Sequence, residues 1–167
     1  MKTRIGINGF GRIGRLVLRA VVQEGYKDIE VGAINSFADP ESNAHMFKYD
    51  TTYGTFKGDV KWTEDSIVID GHTVVCLNSE SPSSLPWEDH GVDIVIECTG
   101  KFTDSAKASG HLEGGAKKVI ITAPAKNEDI TIVLGVNEHQ YDKTKHHIIS
   151  NASCTTNCAA PLMKVLD

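Results

Sequence analysis

Two spacings of apolar residues take turns along this chain. Arg4 to Asn8 predicts a short strand, and Arg12 to Gln23 then sets Ile13, Leu16, Val17, Ala20 and Val21 on one helical stripe. Gly25 is placed to end that helix. Ile29 to Asn35 predicts a second, mostly apolar strand, and Asp39-Pro40 supplies an N-cap and a first-turn proline for a helix through Ala44, Met46 and Phe47. From about Thr51 to Leu85 the rhythm changes. Val60 to Trp62, Ser66 to Ile69 and Thr73 to Leu77 are short strand candidates, and Asp70-Gly71 is a hairpin turn, so a small antiparallel insertion is expected. The earlier rhythm resumes with a strand over Val92 to Cys98 and a helix over Thr103 to Glu113, closed by Gly114-Gly115. Further strands are expected at Lys118 to Thr122, Ile130 to Val136 and His147 to Asn151, and a helix starts at Cys154, with Ala159, Ala160, Leu162, Met163 and Val165 as its apolar residues. Strands alternating with helices predict an α/β fold with a doubly wound, mainly parallel sheet.

At 167 residues the chain has room for one domain with a proper core. The last helix has no successor to pack on, so a longer protein is expected. Hydrophobic residues at 40% and charged residues at 23% are an ordinary globular balance. A net charge of −5 argues against nucleic acid or an anionic membrane as partner, because both need broad basic surface. The positive charge is nevertheless unevenly placed. All four arginines (Arg4, Arg12, Arg15, Arg19) lie near the N-terminus, where a phosphate-bearing ligand would suit them. No long apolar run suggests a membrane span, and Met1-Lys2-Thr3-Arg4 leads straight into a strand without a leader-like stretch. Cys76 and Cys98 fall in apolar strands and read as small buried hydrophobes. Nothing resembles a disulfide scaffold, so a cytoplasmic, reducing location is expected.

Gly9-x-Gly11-x-x-Gly14 gains its meaning from context: a strand before it, an amphipathic helix after it, and a second strand within βαβ distance. Gly9 permits the tight turn, Gly11 lets backbone approach a pyrophosphate, and Gly14 lets helix and strand pack closely. Free N–H groups at the helix start meet the anion. The acid that usually ends the second strand and binds ribose hydroxyls is absent, since that strand ends Asn35-Ser36-Phe37. Ser36 leaves room for a ribose 2′-phosphate, so the cofactor is NAD or NADP.

Cys154 stands where a strand hands over to a helix, and a helix N-terminus stabilises a thiolate. Backbone N–H groups at that turn could hold the oxyanion formed when the thiol attacks a carbonyl. Ser153, Thr155 and Thr156 crowd hydroxyls around it, suited to a phosphate or carbonyl oxygen. Cys158 lies one turn inward and reads as structural. A metal held by Cys154, Cys158, His146 and His147 matches no common zinc spacing, so no metal is expected. Two alternatives remain: a non-catalytic nucleotide-binding module, and a redox pair of Cys154 with Cys158, disfavoured because a helical spacing of four holds the sulfurs apart.

Ile7-Asn8-Gly9-Phe10-Gly11-Arg12-Ile13-Gly14-Arg15, Ala44-His45-Met46-Phe47-Lys48-Tyr49-Asp50, Gly91-Val92-Asp93-Ile94-Val95-Ile96-Glu97, Gly115-Ala116-Lys117-Lys118-Val119-Ile120 and Ser150-Asn151-Ala152-Ser153-Cys154-Thr155-Thr156-Asn157-Cys158 together resemble the phosphorylating glyceraldehyde-3-phosphate dehydrogenase family. The resemblance covers essentially the whole chain, and the last motif is shared with erythrose-4-phosphate dehydrogenase. It implies a Rossmann-type dinucleotide-binding domain over residues 1–151, with residues 152–167 opening a substrate domain whose remainder is absent. It implies that Cys154 attacks glyceraldehyde 3-phosphate, hydride passes to NAD or NADP, and inorganic phosphate cleaves the resulting thioester to 1,3-bisphosphoglycerate. Ser153 and Thr155 would contact the sugar phosphate or the attacking phosphate. Asn8, Gly9, Phe10, Gly11, Arg12 and Ile13 would hold the pyrophosphate, with Asn35 and Ser36 near the adenosine ribose and Glu80 near the adenine. Thr99, Gly100, Phe102 and Thr122 would line the rest of the cofactor groove. The family assembles as homotetramers. Two departures pull apart: Ser36 replaces the aspartate of NAD-preferring members, and Glu80 replaces an arginine usual at the adenine end. The family's catalytic histidine would lie beyond Asp167, so little or no turnover is expected of this chain alone.

Overall fold

The computed structural model describes residues 2–166. β1 (Thr3–Asn8) becomes the centre of the sheet because both its faces are covered. Ile5 and Ile7 point to one side, against Leu18, Ile34, Phe47 and Phe56. Gly6 points to the other, where a Cβ would lie 2.6 Å from the Trp87 ring. β2 (Ile29–Asn35) repeats the pattern, with Ile34 in the first cluster and Ala33 in a second around Leu85, Trp87, Val92 and Val95. A strand buried on both faces reads as an unbroken apolar run, which is the signature of parallel sheets.

β1 pairs in parallel with β2 and with β8 (Ile94–Glu97), and β7 (His72–Leu77) extends the parallel set beyond β2. On the other side follow β9 (Lys118–Ile121), β11 (Ile148–Ser150) and β10 (Ile130–Thr131), all parallel. The parallel part of the sheet therefore runs β7-β2-β1-β8-β9-β11-β10, a doubly wound order in which connections reverse direction between β1 and β8. β6 (Ser66–Ile69) and β5 (Val60–Trp62) add an antiparallel flank, turning at Asp70 and Gly71, both at positive φ. The nine strands end in β5 at one edge and β10 at the other. The expected antiparallel insertion is thus present as an extension of the main sheet.

α1 (Arg12–Glu24) and α2 (Pro40–Lys48) cover one face. Gly25 closes α1 in the left-handed conformation, and Asp39 caps α2 by accepting from the Ser42 N–H at 2.7 Å, as the sequence predicts. Some expectations fail in detail. The helix expected over Thr103 to Glu113 starts two residues later, where Asp104 caps it, and is two single turns, α3 (Ser105–Ala108) and α4 (Gly110–Glu113), joined through Ser109, whose own backbone stays helical. The strand expected from Ile130 to Val136 stops at Thr131, since Asn137 Oδ1 takes the Val133 N–H and folds the segment into a turn. A two-stranded hairpin, β3 (Tyr49–Asp50) with β4 (Gly54–Thr55), went unpredicted because its strands are too short for any periodicity. α5 (Cys154–Leu166) forms where expected, and none of its described residues is buried.

Candidate functional site

A cleft of about 690 Å³ opens over the carboxyl ends of β1, β2 and β8, at the crossover point where doubly wound sheets bind ligands. Another groove, of about 470 Å³, lies between α1 and β6–β7 at the opposite edge and contains none of the expected site residues.

The glycine-rich turn forms one wall of the cleft. Gly9 sits at φ +93°, and a Cβ there would stand 2.9 Å from the Thr99 backbone nitrogen. Gly14 faces the Gly9 carbonyl so closely that a Cβ would be 2.2 Å from its oxygen. Above Gly11 the space is open, with nothing within 4 Å of the Cβ position. Gly11 is also the N-cap of α1 and offers no side chain to it, and no acid occupies the first turn. The earliest amide of α1 bonded within the chain is that of Arg15, to the Gly11 carbonyl at 3.0 Å. The leading N–H groups are therefore free for an anion.

Of the expected cofactor residues, the cleft brings together Asn8, Gly9, Phe10, Gly11, Asn35, Ser36, Glu80, Thr99 and Phe102. Gly100 and Thr122 lie outside its lining; the Thr122 hydroxyl instead donates to the Glu97 carbonyl at 3.0 Å. Arg12 and Ile13 are also absent from the wall. The Arg12 guanidinium pairs with Asp50 of the unpredicted hairpin and lies over the Tyr53 ring, so only its backbone can face the turn. Arg15 lines the cleft in its place, donating to the Phe10 carbonyl at 3.1 Å, and Lys101 joins it. Sequence reasoning missed both. Arg15 was legible in principle, since it lies one helical turn past Gly11 on the glycine side of α1.

The adenosine end expected at Ser36 is rigid and acidic. The Ser36 hydroxyl donates to Asn43 Oδ1 at 3.0 Å and accepts from the Ala38 N–H at 3.2 Å, so it stabilises its own turn. Asn35 donates to Asn8 Oδ1 at 2.7 Å and to the Ser79 carbonyl at 2.9 Å. Glu80 is the charged side chain at this end, while the lining cations, Arg15 and Lys101, sit by the glycine turn and after β8.

Cys154 opens α5 at the carboxyl end of β11, three strands from β1 and so roughly 14 Å along the same sheet edge. Ala152, at φ +58°, makes the corner. Ser153 Oγ accepts from the Thr156 N–H at 2.9 Å, and Asn157 Nδ2 donates to the Asn151 carbonyl at 2.7 Å and the Ser153 carbonyl at 2.9 Å. Ser153 therefore caps the helix, and its hydroxyl also meets Thr155 Oγ1 at 2.9 Å. Cys154 and Cys158 are both exposed, one helical turn apart on α5. The other two thiols differ in kind. Burial pushes Cys98, which lines the cleft, up to about 12, and Cys76 up to about 11. Among the described residues no group of side chains is arranged to hold a metal ion.

Comparison with known proteins agrees with this geometry. Residues 3–105 match the family described as glyceraldehyde 3-phosphate dehydrogenase, NAD binding domain. A glyceraldehyde-3-phosphate dehydrogenase of Streptomyces coelicolor is 57% identical over 167 residues, all of this chain and 49% of the relative. Glyceraldehyde-3-phosphate dehydrogenase 2 of Bacillus subtilis is 55% identical over the whole chain and 48% of its own length. The Thermotoga maritima glyceraldehyde-3-phosphate dehydrogenase is 55% identical over 163 residues, 98% of this chain and 49% of the relative. The chain thus spans about half the length of the curated relatives it matches.

Proposed function

The chain belongs to the glyceraldehyde 3-phosphate dehydrogenase family through its NAD-binding domain, and on that premise we propose that it supplies the cofactor site and the nucleophile of an enzyme oxidising glyceraldehyde 3-phosphate to 1,3-bisphosphoglycerate. The observation that carries this reading is one sheet edge bearing both an open glycine-rich cleft and an exposed thiol at a helix start.

The site's residues fit a dinucleotide. The unbonded N–H groups of Arg12 and Ile13 and the free space over Gly11 receive a pyrophosphate, with Arg15 alongside. Bound there, NAD supplies the hydride acceptor. Cys154 Sγ adds to the aldehyde carbon, its proton leaving to solvent or base, and the amides of the first turn of α5 face the oxyanion. After oxidation the sulfur holds the acyl group as a thioester. Inorganic phosphate then attacks the acyl carbon and displaces the thiolate, with Ser153 and Thr155 presenting hydroxyls to substrate or phosphate. Residues 152–167 belong, on this reading, to the opening of a substrate domain, which explains why α5 buries nothing here, and the complete protein assembles as a homotetramer in the cytoplasm.

The cofactor is NAD rather than NADP. Among the described residues that line the cleft, Glu80 is the acid that shares it with Ser36, and the cations Arg15 and Lys101 sit by the glycine turn and after β8, so a 2′-phosphate beside Ser36 gains an acidic neighbour. Titration of the chain with both nucleotides tests this. NAD is expected to bind at least about tenfold tighter, a difference of about 1.4 kcal/mol. Equal or tighter NADP binding overturns the preference, and failure to bind either overturns the site. The chain alone is expected to make no measurable NADH from the aldehyde and phosphate, because among the described residues no imidazole hydrogen-bonds the Cys154 thiol and general-base help is worth about 10²–10⁴ in rate. Clear turnover would refute that statement.

A further inference from the structure

Beneath the cleft, Glu97 ends β8 at 1% exposure with no lysine or arginine beside it among the described residues. Its Oε2 accepts from Asn8 Nδ2 at 2.5 Å and faces His111 Nε2 at 2.9 Å, while Oε1 accepts from the Thr99 N–H at 2.8 Å and from the Thr99 hydroxyl. The proton of His111 can be assigned from its other side. His111 Nδ1 accepts the Trp87 indole N–H at 3.0 Å, so Nδ1 is bare and Nε2 carries the hydrogen that points at Glu97. Asn8 Nδ2 also lies 3.4 Å from His111 Nε2, but both are then donors, and they share Glu97 instead of bonding each other.

Asn8 is thereby oriented. Its amide NH₂ faces Glu97, so its Oδ1 must accept from Asn35 Nδ2, at 2.7 Å. Asn35 is oriented in turn, donating to the Ser79 carbonyl and accepting the Ser79 N–H at 2.9 Å. The Ser79 backbone, one donor and one acceptor, fixes Asn35 at the far end, and the acceptor-only Glu97 lets Asn8 complete that same direction without its NH₂ facing another donor.

We propose that Glu97 is a positioning residue for the nucleotide: its buried carboxylate is the terminal acceptor of one hydrogen-bond chain that runs from the Ser79 backbone through Asn35 and Asn8. Glu97 thus orders both ends of the cleft without touching the ligand. Thr99, held on Oε1, supports the Gly9 turn, and Ser79, reached through Asn8 and Asn35, forms part of the adenosine end. This role rests on the dinucleotide reading of the cleft.

Glu97→Gln keeps the shape but turns an NH₂ group toward existing donors. With that group toward Thr99 the Thr99 N–H beside the Gly9 turn loses its acceptor, and with it toward Asn8 relief requires Asn8 and Asn35 to invert, which forfeits both bonds to Ser79. The test uses the chain with ADP-ribose as probe, a ligand that reaches the adenosine end and cannot contact the buried Glu97. ADP-ribose affinity is expected to fall about tenfold in E97Q, in the range of one buried hydrogen bond to a charged group, with movement of the Thr99 amide resonance or of the Ser79 amide and Asn35 side-chain resonances. Unchanged affinity, or unmoved Thr99, Ser79 and Asn35 signals in a folded E97Q, overturns the proposal. Should E97Q fail to fold, the wild-type His111 nitrogen-15 shifts decide it: a bare Nδ1 is expected, and a protonated Nδ1 overturns it. Absence of ADP-ribose and NAD binding by the wild type would instead defeat the reading of the cleft itself.

Discussion

Gly11 and Gly14 stand three positions apart in one motif and do opposite things. A methyl group at Gly14 would meet the Gly9 carbonyl oxygen at 2.2 Å, a rigid backbone atom that cannot step aside. Gly14→Ala is therefore expected to lower unfolding free energy by about 1–3 kcal/mol, the usual cost of overpacking, read from urea denaturation. A methyl at Gly11 meets nothing within 4 Å. Gly11→Ala should leave stability within about 0.5 kcal/mol yet weaken NAD binding, because it fills the space reserved for the pyrophosphate. Equal stability of the two variants would sink this division of labour. The motif itself was legible in the sequence because each glycine has a separate steric reason. The side chains around it were less so. Arg12 and Arg15 share a type and a helix, and only the hairpin that supplies Asp50 decides which of them leaves the cleft.

α5 shows how an element can present a group by leaving it uncovered. Its first turn is tied down by Ser153 and Asn157, whereas its later apolar residues stand open, with Leu162 at 62% and Val165 at 85% exposure. Thiol chemistry should follow that placement. Iodoacetamide is expected to modify Cys154 and Cys158 in the native protein and to spare Cys76 and Cys98, whose burial holds them at about 11 and about 12, until denaturant is added. Peptide mass mapping would show the order, and early labelling of Cys98 would contradict it. The start of α5 was readable from its polar cap and following apolar residues. The failure at Thr103 to Glu113 has a different origin. Its apolar spacing suits one helix, but the cap at Asp104 and the interruption at Ser109 are tertiary choices, made where the chain packs so closely on Pro82 and Ser83 that a Cβ on Gly110 would lie 3.0 Å from the Ser83 nitrogen.

For the molecule as a whole, doubly wound topology followed from alternation of element types, while strand order depended on packing that no local pattern records. The parallel half of the sheet is also fastened by carboxylates. Partial burial of Asp129 opposes its ionisation, but the N–H groups of Ile148 and His147, at 2.8 and 2.6 Å, hold its carboxyl below the ordinary value. Lys117 and the Arg4 N–H do the same for Asp93. A lowered folded-state value means the stabilisation is fully present above the unfolded aspartate value of about 3.9. It is lost as pH falls below that value, through the depressed folded one. Asp129→Asn should accordingly be less stable than wild type at pH 7, with the gap closing by about pH 2; a gap independent of pH would assign the effect to packing. The flanks of the sheet carry a separate consequence. β5 has three residues and β10 only two, so a stray chain arriving at either margin finds few vacant amides on which to grow. Fibrillar self-association is discouraged at both borders by brevity, and at β5 also by the exposed charge of Lys61.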